Sequence, residues 1–152
     1  MGLLDNASQY ETVSIGGFSP LISYSQPSLW YSGFNDPKVE EMKDHPLGYH
    51  RTYSLDTSFS FNFTGTDLSL FGVVGPTFGS VDVQVDSVTT ATRVYNNISL
   101  LPFAFFSMHN LTNTEHQVTV INRGVKDGEP GGNSFLFYDV GFTYEVSSHI
   151  RS

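Results

Sequence analysis

Apolar and polar residues alternate along most of this chain. Ser58-Phe-Ser-Phe-Asn-Phe-Thr64 sends Phe59, Phe61 and Phe63 to one side and polar residues to the other. The stretch from Ser80 to Asp86 repeats this with Val81, Val83 and Val85, and that from His116 to Asn122 with Val118 and Val120. Leu136, Tyr138, Val140, Phe142 and Tyr144 form a further set. A period of two predicts strands with one face on a core. Leu68-Ser-Leu-Phe-Gly-Val-Val74 is almost continuously apolar, which predicts a central strand covered on both faces. Leu21 to Tyr24 and Leu100 to Met108 are further strand candidates, with Pro102 near the start of the second. One short helix is predicted from Asp36 to Asp44, capped by Asp36, opened by Pro37 and stopped by Pro46.

Turn chemistry separates the runs. Thr64-Gly-Thr-Asp67 reads as a short hairpin between the Phe strand and the Leu68 strand. Gly75-Pro-Thr-Phe-Gly79 leads into the Val strand, and residues 111–114 and 124–133 punctuate the second half. Strands at this spacing, with no long helical pattern between them, predict an antiparallel sandwich or barrel of eight to ten strands. A chain of 152 residues fits one domain, read here as 11–146 with tails at 1–10 and 147–152.

Charge narrows the partners. Seven Lys+Arg against 15 Asp+Glu leave a net charge of −8, which argues against nucleic acid and anionic membrane surfaces. Neutral sugars and cations remain open. The absence of cysteine removes disulfides, thiolate metal sites and cysteine nucleophiles. The start at Met1 has no signal-peptide pattern, so either the protein is made in the cytosol or Met1 precedes a processed domain. Four sequons, at Asn6, Asn62, Asn97 and Asn110, favour the second reading, with glycosylation and an extracellular or cell-surface setting.

The order of motifs adds to this. Ile22-Ser-Tyr-Ser25 precedes Trp30. Phe61-Asn-Phe-Thr-Gly-Thr-Asp-Leu-Ser-Leu-Phe-Gly72 and Gly79-Ser-Val-Asp-Val-Gln-Val-Asp86 follow. Then come the stretch from Leu111 to Asn122 and Phe137-Tyr-Asp-Val140. Over residues 18–145 the chain resembles the galactose-binding-like jelly-roll domains of fungal secreted and membrane-anchored proteins, which are similar to carbohydrate-binding modules. The resemblance implies an all-β jelly-roll sandwich of two antiparallel sheets and a lectin-like, non-catalytic role. It also implies a calcium site between the first and last strands. Here Gly16 and Gly17 stand where relatives carry paired acids, so no cofactor is expected; a calcium ion would have Glu11 and Asp139.

Sugar recognition needs flat aromatic faces and a few hydrogen-bonding groups. The candidate binding residues are Trp30, Tyr31, Phe34 and Asn35, then Tyr49 and Arg51 within Tyr49-His-Arg-Thr-Tyr53, and Phe78 in its glycine-flanked loop. Each has a bland alternative: Trp30 as a plug of the sandwich, residues 49–53 as a strand with a polar face, Phe78 folded back on the core. Other function classes have thinner support. Asp36, Glu40, Glu41, Asp44 and His45 read as a solvated face. His116 reads as a structural hydrogen-bonding residue at a strand start. Thr77 lacks the setting of a nucleophile elbow. The alternatives to carbohydrate recognition are a small lyase or isomerase using a cavity inside the sandwich, and a structural ectodomain meeting a protein partner or a second copy through Pro102–Met108.

Overall fold

The computed structural model describes residues 8–33 and 48–147. The expected helix, the acidic cluster, Asn6, Phe34 and Asn35 lie outside the described residues. Eleven strands are described: β1 (Ser8–Gly16), β2 (Ser23–Tyr24), β3 (Trp30–Gly33), β4 (Tyr49–Thr52), β5 (Ser58–Gly65), β6 (Asp67–Val74), β7 (Ser80–Val85), β8 (Val88–Arg93), β9 (Leu100–Met108), β10 (Thr114–Gly124) and β11 (Phe135–Ser147).

They form two antiparallel sheets. One runs β3-β4-β11-β6-β9, with β1 also on β11; the other runs β2-β5-β10-β7-β8. The long β11 organises the first sheet. Its start, Phe135–Phe137, pairs with β4, the rest with β1, and β6 lies along its opposite side. The alternating runs read from the sequence supply the core, and Phe59, Phe61, Phe63, Val81, Val83, Val85, Val118 and Val120 are all buried. Phe59 joins the layers, stacked 4.0 Å from Phe137 and 6.1 Å from Phe135.

Several expectations need correction. Residues 64–67 do not form a hairpin, because β5 and β6 belong to different sheets. The chain turns a corner where Gly65 passes under Thr143; a Cβ there would lie 2.3 Å from the Thr143 carbonyl oxygen. Thr66 N–H donates to that same oxygen. The set from Leu136 to Tyr144 does not share one face. A register shift between Phe137 and Asp139 puts Phe135 and Phe137 in the core before it and Val140 after it. β6 is buried at Leu68, Leu70, Val73 and Val74, but its outer face stays partly open at Ser69 and Phe71. β3 and the polar edge strand β8 carry too little alternation to be read in advance. β7 and β8 make a two-residue hairpin, with Val85 opposite Val88 and Asp86 at φ 55°.

Candidate functional site

Strand pairing fixes which side chains of β3 and β4 share a face. Trp30 pairs with Thr52, Tyr31 with Arg51, Ser32 with His50 and Gly33 with Tyr49. Neighbours across a sheet point the same way and successive residues alternate. Trp30, His50 and Thr52 therefore face the other sheet, while Tyr31, Tyr49 and Arg51 face outward.

The inward set is structural. Trp30 is 8% exposed and packs edge-on against Tyr24, Phe59 and Phe135 at 5.0, 6.3 and 6.2 Å. Its expected role as a sugar platform is corrected by that burial, since neither ring face is free. His50 stacks on Tyr24 at 4.1 Å with Phe18 at 4.7 Å, and burial pushes its pKa down to about 4. Tyr24 donates its hydroxyl to the Gly17 carbonyl at 2.7 Å. Gly16 and Gly17 therefore belong to the end of β1 and the corner that receives Tyr24 and His50.

Two further candidates are also buried. Tyr49 lies over Gly33, where a Cβ would come 2.4 Å from the tyrosine oxygen, and Gly33 is thus what lets the ring lie flat. Phe78 is 2% exposed; its N–H donates to Gly75 and its carbonyl accepts from Gly132, so the loop folds back. The expectation that Tyr49 and Phe78 present rings to solvent is corrected in the same way as for Trp30.

What stays accessible is compact. Tyr31 is 59% and Tyr53 52% exposed, their rings 6.0 Å apart. The Arg51 guanidinium lies 4.9 Å from the Tyr53 ring centre and 5.8 Å from that of Phe78. Its Nε is buried without a hydrogen-bond partner. The geometry is two tyrosine faces beside a guanidinium that Phe78 supports from behind. Tyr53 was legible as part of the Tyr49–Tyr53 motif. Only the tertiary structure exchanges it for Tyr49.

The two acids that a calcium ion would use do not come together. Glu11 pairs with Tyr144 and Asp139 with Gly16, so the two acids stand five residues apart along the strands, about 17 Å, and on opposite faces. Among the described residues no group of three or more His, Cys, Asp or Glu could hold a metal ion. Asp139 accepts from the Ser14 hydroxyl at both oxygens, at 2.9 and 2.7 Å. His116 is held between Asp86 and the Thr112 carbonyl, both at 2.7 Å. Of the sequons, Asn62, Asn97 and Asn110 are exposed. Between the sheets the rings of Phe59, Phe61, Phe135 and Phe137 pack against one another.

No family model matches the chain, and no curated protein matches it by sequence. Solved structures do share its fold. A family two carbohydrate esterase from Cellvibrio japonicus aligns with 93% of this chain at a TM-score of 0.58 and 15% identity. A two-domain esterase active on acetylated mannans aligns with 90% at 0.60 and 12%. The chain spans 37% of each esterase. A CBM36-1 domain of a multidomain xylanase, from the hindgut metagenome of Trinervitermes trinervoides, aligns over its full length with 92% of this chain, at 0.51 and 13%. The fold is therefore an all-β jelly-roll sandwich of two antiparallel sheets, shared with domains of these proteins.

Proposed function

We propose that this chain is a non-catalytic carbohydrate-recognition domain that takes a neutral saccharide on the outer face of the six-stranded sheet, at Tyr31, Arg51 and Tyr53. The observation that carries this is the exposed tyrosine pair beside the half-buried Arg51 guanidinium, which lies against Tyr53 and Phe78. Tyrosine faces cover the C–H surface of a sugar ring, and the terminal N–H groups of a guanidinium donate to hydroxyl oxygens. The fold shared with a xylanase's CBM36-1 domain supports the same reading. Its setting is outside the cell or at a cell surface, of the fungal type that the motif order resembles. The exposed Asn62, Asn97 and Asn110 are open to glycosylation there.

A glycan array on the full chain, with and without calcium, identifies the ligand. Calorimetry on the best hit then tests the surface. Tyr31→Ala and Tyr53→Ala should each cost about 2 kcal/mol or more of binding. Affinity should change little between low and high salt, because a neutral ligand gains nothing from long-range charge. Unchanged affinity in both folded variants assigns the ligand elsewhere on the molecule. Binding of no glycan at all moves the protein-interaction reading ahead.

A further inference from the structure

The outer face of the same sheet carries a second surface, well removed from Tyr31 and Arg51. There β1, β11, β6 and β9 lie side by side, and their registers align outward residues into rows. Ser14 pairs with Gly141, Gly141 with Ser69, and Ser69 with Ser107. On one side of this row stand Thr12, Thr143 and Asp67; on the other stand Asp139 and Phe71. A row of glycine and serines between rows of larger side chains makes a trough. Its hollow measures about 260 Å³ and is lined by Ser14, Ser69, Asp67, Phe71, Asp139 and Gly141 among others.

The trough has shape and chemistry of its own. The hollow is lined from three strands, β1, β11 and β6, about 10 Å at ordinary sheet spacing, and Ser107 on β9 extends the row beyond it. Among the described residues no strand pairs beyond β1 or β9 in this sheet, so the described strands leave both ends of the trough open. Ser69 and Ser107 hydroxyls lie 3.0 Å apart, and Thr12 and Thr143 hydroxyls 3.3 Å apart. Each such pair uses one proton and leaves another to donate. Asp67 supplies an acceptor, and Phe71 supplies the flat apolar face. Asp67 also accepts from the Thr66 hydroxyl at 2.6 Å and lies 2.8 Å from His109 Nδ1. Those two groups hold its carboxyl below the usual range, so it is ionised at neutral pH.

We propose that this trough is a second saccharide site, which takes an unbranched, uncharged oligosaccharide lying across β1, β11, β6 and β9. The Asp67 carboxylate in the wall, on a chain of net charge −8, selects against a carboxylated glycan. Open ends suit the interior of a chain rather than its terminus. The inference shares its ligand class with the proposed function but rests on different residues, so either can fail alone.

The test is an NMR titration of the full chain, ¹⁵N-labelled, with mannohexaose, xylohexaose and cellohexaose, and with hexagalacturonate as the acidic counterpart. At least one neutral hexaose should shift the amides of Ser14, Ser69 and Gly141, with its disaccharide binding at least tenfold more weakly. Hexagalacturonate should leave those amides unmoved. Gly141→Val fills the floor; a Cβ there meets Phe71 at 3.5 Å and the Val13 carbonyl at 4.0 Å, both ordinary contacts. It should weaken trough binding at least tenfold, while the Tyr31→Ala/Tyr53→Ala double variant leaves it intact. Trough shifts with none near Tyr31 would support this site and remove the other. Shifts confined to Tyr31, Arg51 and Tyr53, or trough shifts with hexagalacturonate, would overturn it whether or not Gly141→Val folds. So would the absence of trough shifts with every neutral hexaose.

Discussion

Two histidines of this chain respond to pH in opposite directions, and each response follows from what the ring touches. His50 is pressed between Tyr24 and Phe18, and burial holds its pKa near 4. The unfolded chain takes up that proton near pH 6.5, so this contribution to stability is present above 6.5 and is lost as pH falls toward 4. His116 is the reverse case. Burial alone would lower its pKa, but Asp86 on Nδ1 and the Thr112 carbonyl on Nε2 outweigh that and raise it. Both nitrogens donate, so the charged ring is the satisfied one. Its contribution is fully present below 6.5 and is lost as pH rises through the folded value. The melting temperature should therefore peak near pH 6.5. In thermal scans from pH 4 to 8, His50→Phe should flatten the acid limb and His116→Gln the alkaline limb. An acid limb unchanged in His50→Phe would show that the ring is not buried neutral.

Among the elements, β5 and β11 carry the join between the sheets. Phe59 is fully buried and stacks on Phe137 across the layers. Phe59→Ala should cost about 3–5 kcal/mol, read as the shift in a urea unfolding midpoint at constant slope. The exposed edge offers the contrast. Val88 on β8 is 57% exposed, and Val88→Thr should stay within about 0.5 kcal/mol of the parent. Equal effects at the two sites would mean that the layers are not packed through the β5 phenylalanines. The bulge in β11 explains why the alternation from Leu136 to Tyr144 misled. One extra residue in the ladder exchanges inside for outside, and nothing in a row of alternating apolar residues marks where this happens.

For the molecule as a whole, the sandwich holds together through its aromatic core and strand ladders. Glu11 and Asp139 stand too far apart to share an ion. Thermal unfolding should be the same with a chelator as with added calcium, since only a ligand bound to the native state raises stability. A fall of several degrees in chelator would reveal a bound metal and reopen the cofactor question. One outer sheet face also carries both surfaces, the tyrosine–arginine patch and the hydroxyl-lined trough. The exposed Asn62 sits on β5, in the opposite sheet. A glycan attached at Asn62 should leave saccharide binding at either surface unchanged. Comparing glycosylated protein with Asn62→Gln in calorimetry checks this.

The sequence by itself determined the class of fold and most of the core. Alternation in β5, β7 and β10 commits those side chains to one face wherever the strands pair, because the period is local. It also marked the motif Tyr49–Tyr53 and the glycine-flanked Phe78 as candidate binding residues. Which of these rings reach solvent was decided only by tertiary structure. Trp30, Tyr49 and Phe78 are as aromatic as Tyr31 and Tyr53, and their burial depends on Phe59, Gly33 and Arg51 arriving from distant parts of the chain. The trough was still less legible. Its floor is Ser14, Gly141, Ser69 and Ser107, unremarkable residues from four strands, and only the register between those strands sets them in one row. Periodicity along a strand is written in neighbouring residues. Alignment across strands is a long-range property, set by corners such as Gly65 and by the bulge in β11.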